Sequence, residues 1–403
     1  MPAENRATPG PRYRWVILGV VYLAFLAYAI VFQTVPPLLS LIIPDLHLTH
    51  AEAGLLMSLF ALPGVFLSLP VGILTDRYGP RLPMLVCLTT LIVGTLLFYA
   101  GRSFPMLALG RVIAGAGGLS LFVIGAQAVA QWFAGRELGI AVGLYSTGMP
   151  VGTIVSLNAL GAAGVAIGWQ RTVLIGVALA IVALFAFAVF YRPAPGSPAG
   201  PQGGRQTVSL AAIGQLGLPI WLVGAIWMLF NAGVISFLTF APVYFVSRGF
   251  SVEYAGFLAS FQMLLSPFLA PPVGVALDRL GREEWFIAVG GILVAVGALG
   301  VFATGTWLIL ALVVLSLGAV LVPTPVFALP PRVLPPPAVG TGYGVVSTCL
   351  NVGVVIGPAL GGLARDATGN YQMTFYLVAL YALLTTVVAV ALRLARHGRR
   401  SRP

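Results

Sequence analysis

The sequence predicts an all-α membrane protein in which twelve transmembrane helices form two six-helix bundles related by pseudo-twofold symmetry. Of the 403 residues, 59% are hydrophobic and only 8% are charged, whereas soluble domains carry roughly 25% charged residues. In addition, a passage near the N-terminus returns as an imperfect copy in the second half of the chain. The composition therefore places the chain in lipid, and the repeat divides it into two equivalent halves.

The predicted elements are twelve apolar runs, each near the roughly 20 residues that a helix needs to cross a bilayer. The first run begins at Trp15 and has no Ala-x-Ala-like exit, which indicates a retained helix rather than a cleavable signal. Close to the tenth run, seven prolines between Pro323 and Pro337 remove backbone donors and predict a bent end. The predicted spans are residues 15–41, 53–75, 82–100, 106–131, 138–164, 172–190, 220–246, 255–277, 285–304, 307–329, 341–364 and 372–394.

The internal repeat relates residues 53–81 to residues 255–283 at a constant offset of 202. Each half holds an even number of helices, so the two copies share one orientation and are related by an axis along the membrane normal. A polar, Pro/Gly-rich segment lies between them. We therefore expect an N-terminal bundle over residues 1–190, a cytoplasmic linker over 191–219, and a C-terminal bundle with a basic tail over 220–403.

The arginines predict the topology. All 21 basic residues are Arg, and with a cytoplasmic N-terminus sixteen lie on the cytoplasmic side, four lie outside and Arg111 lies within a helix. The positive-inside rule then places both termini in the cytoplasm of a multi-pass plasma membrane protein, the bacterial inner membrane in our interpretation. The net charge of +11 follows from this distribution, so it indicates membrane lipids rather than nucleic acid as a partner.

Both copies of the repeated passage end in a charged loop, at residues 72–81 and again at 274–282. These loops resemble the Gly-x-x-x-Asp-Arg-x-Gly-x-Arg signature of the major facilitator superfamily, which is expected between helices 2 and 3 and, in degenerate form, between helices 8 and 9. Arg111 with its following glycines in helix 4 is a weaker match, and Ala114 stands where drug exporters of this superfamily often carry Gln. The resemblance covers nearly the whole chain and implies the two-bundle fold of that superfamily.

In that superfamily the two loops are gating elements, and the resemblance implies the same role here. Gly72 and Gly274 would let a neighbouring helix approach closely. Asp76 would face the positive N-terminus of helix 11, and Arg77 would pair with Glu137, contacts that form only while the cytoplasmic mouth is closed. The alternative is a simple loop anchor at the lipid headgroups. The implied gating residues are Gly72, Asp76, Arg77, Gly79, Arg81, Glu137, Gly274, Asp278, Arg279, Gly281 and Arg282.

The acidic residues limit the class of solute. All ten acids lie in loops, in tails or in the first residues of a span, so no deep carboxylate is available to neutralise an organic cation. Arg111 is the one ionisable side chain well inside a span, and it would draw an anion such as a carboxylate into the cavity. The alternative is structural: Arg111 snorkels to the headgroups or braces the helix ends with Glu52 or Asp45.

Neutral polar residues complete the candidate solute site. Asn231 and Asn351 fall near mid-bilayer, where substrate is expected at the interface of the repeats. An amide at that depth either bonds to another helix or faces a wet cavity. The candidate substrate-binding residues are Arg111, Asn231, Asn351, Gln262, Tyr145, Gln33 and Tyr28.

The predicted function is secondary transport of a small solute, an organic or inorganic anion, by rocker-switch alternating access. Within the superfamily the chain resembles bacterial monocarboxylate, oxalate or nitrate/cyanate-type carriers, although it lacks the second deep basic residue that several of them use. One alternative is a carrier of a neutral or zwitterionic metabolite, and another is a non-transporting membrane receptor or scaffold. No nucleophile–base grouping, metal-ligand spacing or phosphate-cradling loop is present, so we expect no enzyme, metal or cofactor, and a monomer whose partner is a small-molecule solute.

Overall fold

The computed structural model describes residues 12–134, 137–194, 216–335 and 338–400, without the side chains at 68, 69, 72, 73, 76, 77 and 397–400. In these ranges twelve helices are long and apolar enough to cross a membrane, which confirms the twelve predicted spans. The central part of the predicted linker, residues 195–215, lies outside the description. The helices are α1 (Tyr13–Leu46), α2 (His50–Tyr78), α3 (Arg81–Ala100), α4 (Phe104–Trp132), α5 (Leu138–Ile167), α6 (Trp169–Phe190), α7 (Leu218–Ser247), α8 (Val252–Leu280), α9 (Glu283–Gly300), α10 (Gly305–Ala328), α11 (Val339–Thr368) and α12 (Gln372–Arg400).

The helices pack as two groups of six, which we call the N-lobe (α1–α6) and the C-lobe (α7–α12). Within the N-lobe, α4 packs against α2 and α3; within the C-lobe, α11 and α12 pack against α7. Glycines bring these backbones together: a methyl group at Gly115 of α4 would lie 1.9 Å from the carbonyl oxygen of Phe60, and one at Gly353 of α11 would lie 2.1 Å from that of Met228. Small residues thus take the place of the hydrophobic force that is missing between helices in lipid.

Several helices break where proline removes a backbone donor. The first helix is α-helical over Tyr13–Phe32 and again over Val35–Asp45, with the break just before Pro36. The tenth helix is regular over Gly305–Leu321 and is then interrupted, with short helical segments over Pro323–Ala328 and Pro330–Val333. The interruptions fall at the prolines, and the bend itself stays a prediction.

The two lobes meet at one end of the molecule, which we call the closed end. There α2 packs against α11 and α5 packs against α8. A methyl group at Gly54 of α2 would lie 2.1 Å from the carbonyl oxygen of Pro358, and one at Gly256 of α8 would lie 1.9 Å from that of Leu157. Backbone therefore touches backbone across the lobe boundary.

The opposite end, where α1 begins and α12 ends, we call the open end. Among the described residues, no atom lies within 4 Å of a methyl group built at Gly139, near the start of α5. The same holds for a methyl group built at Gly344 of α11. At these two positions of the open end, the described parts of the two lobes are therefore not in close contact.

Backbone contact at glycine predicts a difference between two matched substitutions. Gly115→Ala forces a methyl group into the carbonyl of Phe60 and should lower the free energy of unfolding by about 1–3 kcal/mol, the usual cost of overpacking. Gly139→Ala meets no atom within 4 Å and should leave stability unchanged or slightly raised. Thermal unfolding in detergent micelles checks this pair, and equal melting temperatures for the two variants would contradict the assigned packing.

Candidate functional site

Two glutamines lie just inside the closed end, on opposite lobes. Gly161 of α5 faces Val252 of α8, and Leu157 faces Gly256, so the antiparallel register places Thr153 level with Ser260. Gln33 of α1 donates its Nε2 hydrogen to Thr153 Oγ1 at 3.3 Å, and Gln262 follows Ser260 by half a turn. The register therefore places the predicted residues Gln33 and Gln262 near one level of the molecule, one in each lobe. Gln262 lies on the face of α8 roughly opposite Ser260, because two residues turn a helix by about 200°.

The side chains of these glutamines are incompletely bonded. The Oε1 atom of Gln33 and both polar atoms of Gln262 are buried and have no hydrogen-bond partner among the described residues. An unsatisfied buried amide costs about 1–3 kcal/mol. Such groups inside a membrane protein require water or a polar solute, so this level is the strongest candidate for direct solute contact.

The two predicted asparagines occupy different places. Asn351 of α11 donates to its own helix at Ser347, and its Oδ1 would lie 2.9 Å from a methyl group at Gly64 of α2, so it stands at the lobe boundary. Asn231 of α7 is half-buried and donates to the carbonyl oxygen of Trp227, one turn earlier, at 2.8 Å. Asn231 therefore belongs to the C-lobe wall and not to the level of the glutamines.

Sequence reasoning missed Trp227 and Tyr343, which form an aromatic wall with Phe327 beside Asn231. The Trp227 ring lies 5.2 Å from that of Phe327, which in turn stacks on Tyr343 at 6.5 Å. The indole Nε1 of Trp227 is buried without a partner among the described residues, and Phe327 is exposed. The sequence signal that could have found this wall is the spacing of Trp227 and Asn231. The two residues lie one helical turn apart on α7 and so share one face of the helix.

The predicted Tyr28 and Tyr145 are packed inside the N-lobe. Tyr145 donates to the carbonyl oxygen of Phe122 at 3.0 Å and stacks on Phe25 at 4.9 Å, and Phe25 also stacks on Tyr28 at 5.9 Å. Both tyrosines are almost fully buried. In this conformation they join α1, α4 and α5, and they do not share the level of the glutamines.

Arg111 is clamped by backbone carbonyls. Its Nη1 and Nη2 atoms donate to Val31 and Phe32 at 3.1 Å each, and its Nε donates to Leu56 at 2.9 Å. The carbonyl of Phe32 would normally accept from the residue four positions later, but that residue is Pro36, which has no N–H. Arg111 supplies the missing donor and fastens α4 to the break in α1.

The expected alternative partners of Arg111 are wrong. Glu52 instead completes a capping box with Thr49 at the start of α2, and Asp45 accepts from Trp169 Nε1 at 2.8 Å. Arg111 is only 3% exposed, and none of the described carboxylates pairs with it. Its charge is thus held by backbone carbonyl dipoles rather than by the acids that the structural alternative named, and it has no counterion among the described residues of the N-lobe.

A carboxylate fastens the closed end. Asp366 of α11 accepts from the backbone N–H groups of His50 and Ala51 at 3.1 and 2.7 Å, and it lies 3.0 Å from His50 Nδ1. The first N–H groups of a helix lack partners within it and carry partial positive charge. A C-lobe side chain therefore caps the start of α2 in the N-lobe. We call this contact, His50–Ala51–Asp366, the interlobe latch, and sequence reasoning had treated Asp366 only as a peripheral acid.

The first predicted gating loop lies at the open end. Asp76 and Arg77 are helical, but their side chains and the surroundings of Gly72 are outside the described part of the structure. Gly79 ends α2 with a positive φ of 74°, a conformation that favours glycine. Arg81 reaches the carbonyl of Ala188 at 3.4 Å. The contacts predicted for Asp76 and Arg77 stay predictions.

The second predicted gating loop is solvated. Asp278, Arg279 and Arg282 are exposed, and Gly281 ends α8 with a φ of 58°. The close helix approach expected at Gly274 is wrong for this conformation, because the nearest atom to a methyl group there is 4.0 Å away. Glu137, the expected partner of Arg77, pairs with Arg14 at 2.7 Å. Because the side chain of Arg77 lies outside the described part of the structure, its predicted pairing with Glu137 stays a prediction.

The interlobe latch predicts that Asp366→Asn weakens the closed end. The substitution removes a charge-assisted acceptor, and a loss of about 1–2 kcal/mol changes a conformational ratio roughly 5–30-fold. The reporter is a cysteine at Ser58, which is 1% exposed one turn below Gly54, with Cys87 and Cys349 replaced by alanine. Labelling of this cysteine by a hydrophilic maleimide should accelerate accordingly.

Asp45→Asn is the matched control for this prediction. Asp45 lies at the same end, but its partners Trp169 and Gln170 belong to its own lobe, so labelling at position 58 should not change. Equal acceleration in both variants would show that Asp366 does not act across the lobe boundary.

Comparisons with known proteins agree with this architecture. The family model of the Major Facilitator Superfamily matches residues 21–268 and 247–403. The human lysosomal dipeptide transporter MFSD1 is 26% identical over 382 residues, which cover 88% of this chain and 81% of the relative. The probable nitrate transporter NarT of Staphylococcus carnosus is 25% identical over 380 residues, which cover 92% of this chain and 94% of the relative.

Solved structures share the fold. A bacterial homologue of the human lysosomal transporter Spinster, in an inward-facing and occupied conformation, superposes with a TM-score of 0.76 at 17% identity, covering 95% of this chain and 97% of that one. The nucleoside transporter NupG gives a TM-score of 0.74 at 14% identity, covering 94% and 99%. With the family model matched along almost the whole sequence, the chain belongs to the Major Facilitator Superfamily.

Proposed function

We propose that this secondary transporter carries a small solute with an oxyanion group, an organic or inorganic anion, by alternating access. The observation that supports this most is the buried charge of Arg111, which has no carboxylate partner among the described residues. The relatives agree in chemistry, because nitrate and the carboxylate terminus of a dipeptide are both planar oxyanions.

Arg111 need not touch the solute to select it. At an effective dielectric constant of about 20, a positive charge attracts an anion ~10 Å away by about 1.7 kcal/mol, which is more than a tenfold preference. The described acids lie near helix ends and therefore do not cancel this field inside the N-lobe. The direct hydrogen bond to the oxyanion would come from the unsatisfied Nε2 of Gln262. The free Oε1 of Gln33 can only accept, so it would bind water or a protonated group of the solute.

A second candidate is a neutral or zwitterionic solute. It is favoured by the geometry of Arg111, whose guanidinium donates to three carbonyls and to the sulfur of Met57 and is 3% exposed. In that case Gln262 and the aromatic wall of Trp227 and Phe327 would hold the solute, and Arg111 would only brace α1. The human relative, a dipeptide transporter by name, is compatible with this reading.

A conformation that is closed at one end and open at the other corresponds to one of the two end states of a transport cycle. We assign the open end to the cytoplasm, because the arginine-rich termini and both charged loops lie there, in accordance with the positive-inside rule. The protein would then sit in a plasma membrane with both termini inside, surrounded by lipid and acting as a single chain. The two lobes would rock about a central axis between the two ends, and the segment around residues 195–215 would connect them.

Substitutions at Arg111 separate the two candidate solutes. If the solute is an anion, Arg111→Lys keeps the charge and should retain part of the uptake, whereas Arg111→Gln should lose most of it. If the solute is neutral, the two variants should differ little, because neither reproduces the fork that holds three carbonyls. The measurement is counterflow in proteoliposomes with nitrate, a small monocarboxylate, a dipeptide and a neutral amide, alongside thermal unfolding of each variant.

The substitution Gln262→Leu tests whether Gln262 contacts the solute directly. Since Gln262 has no partner among the described residues, an apolar side chain of similar size should leave the melting temperature unchanged or raised. Solute affinity should nevertheless fall at least tenfold. Ser316→Ala is the control, because Ser316 on α10 is also buried without a partner among the described residues. Retained affinity in Gln262→Leu would remove this residue from the site.

A further inference from the structure

The N-lobe contains its own cluster of three aromatic rings. Phe25 of α1 lies 5.2 Å from Phe122 of α4 and 4.9 Å from Tyr145 of α5, measured between ring centroids. The hydroxyl group of Tyr145 donates to the backbone carbonyl of Phe122 at 3.0 Å. We call these three residues the N-lobe cluster. Within it, Phe25 and Tyr145 are buried, whereas Phe122 is 42% exposed.

The aromatic wall of the C-lobe repeats this arrangement on α7, α10 and α11, the helices that correspond to α1, α4 and α5. Trp227 follows Phe25 at the repeat offset of 202 residues. The hydroxyl group of Tyr343 donates to the carbonyl of Phe327 at 2.8 Å, which matches the bond in the N-lobe cluster. Trp227 is buried, whereas Phe327 is 43% exposed. Each lobe therefore presents one half-exposed ring that rests against a buried one.

Both half-exposed rings point away from α3 and α9, two helices whose outer faces carry exposed apolar side chains. On α4, Gly117 packs against α3, and Phe122 lies about 140° from it around the helix, at about 100° per residue. On α10, Gly318 packs against α9, whereas the Phe327 ring contacts rings on α7 and α11. Phe122 and Phe327 therefore lie on the interior sides of their helices, at equivalent positions in the two lobes.

The rings lie on the open-end side of the two glutamines. Gln33 follows Phe25 by eight residues on α1, which corresponds to about 12 Å along a helix. A compact inorganic oxyanion is too small to contact both levels, whereas an organic solute about 10 Å long can do so. The rings also have a polar group beside them, because Trp227 is 6% exposed and its Nε1 has no partner among the described residues.

We infer that Phe122 and Phe327 hold the apolar or aromatic body of an organic solute whose oxyanion group lies towards Gln262. This inference rests on the proposed function and narrows the solute to organic acids with an apolar body. A ring held by aromatic side chains from both lobes leaves water on both of its faces, and ring pairs add an attraction that depends on their geometry. Nitrate has no such body and would bind without this contribution.

The test uses two pairs of probes that differ only in a terminal ring: 4-phenylbutyrate with butyrate, and the neutral 4-phenylbutanamide with butanamide. Binding to the full-length protein in nanodiscs is measured by isothermal titration calorimetry, with empty nanodiscs as the blank. We expect each aromatic probe to bind about tenfold more tightly than its ring-free partner. Phe122→Ala and Phe327→Ala should each weaken binding of the aromatic probes about fivefold and leave butyrate unchanged.

Phe185→Ala is the matched control. Phe185 is 65% exposed on α6 and belongs to neither group of rings, so its loss should leave all four affinities unchanged. Equal affinities of 4-phenylbutyrate and butyrate in the wild type, no binding of either aromatic probe, or equal weakening in Phe185→Ala would each overturn the inference. The wild-type comparison keeps the test decisive if a variant fails to fold. Amides that bind as tightly as the acids would contradict the proposed oxyanion instead, while a ring preference in both pairs would still support the role of Phe122 and Phe327.

Discussion

The requirement that every backbone polar group find a partner inside the membrane shapes this structure more than any other constraint. At the break in α1, Pro36 leaves the carbonyl of Phe32 without its helical donor, and Arg111 fills that role. A neutral amide could not reach three carbonyls on two helices at once, whereas the planar guanidinium can. The cost is a charge in the N-lobe interior, and in the proposed function this charge would favour an anionic solute.

The same requirement explains how the lobes hold one another. Backbones meet directly at Gly54 and Gly256, and the orphan N–H groups at the start of α2 are capped by Asp366 from the other lobe. The two interlobe seams differ: α2 and α11 add a charged latch, whereas α5 and α8 meet through glycine and apolar side chains. Since a contact across lobes can stabilise only the conformation in which it forms, the latch favours closure at this end. The gating role proposed for the charged loops would favour closure at the other end.

Much of the fold could be predicted from the sequence. Span length and apolar content indicate transmembrane helices, and the repeat indicates two equivalent bundles. The interruption of α10 was also predictable, because proline acts locally. The hydrogen-bond partners of Arg111 could not be predicted, because they depend on which carbonyl groups at the break in α1 face α4. Nor could the burial of Glu283, which requires Arg332 and Arg396 to arrive from two other helices. Polar residues could be nominated by depth, but only packing separates Gln262, which lacks a partner, from Tyr145, which has one.

The most direct test of alternating access compares distances at both ends of one helix pair. Spin labels at Ala166 and Glu253 report on the closed end of α5 and α8, and labels at Leu138 and Leu280 report on the open end; all four positions are exposed. Double electron–electron resonance in nanodiscs, with and without a transported solute, should show one distance lengthening as the other shortens. Distances that stay fixed at both ends, or that lengthen together, would contradict the account.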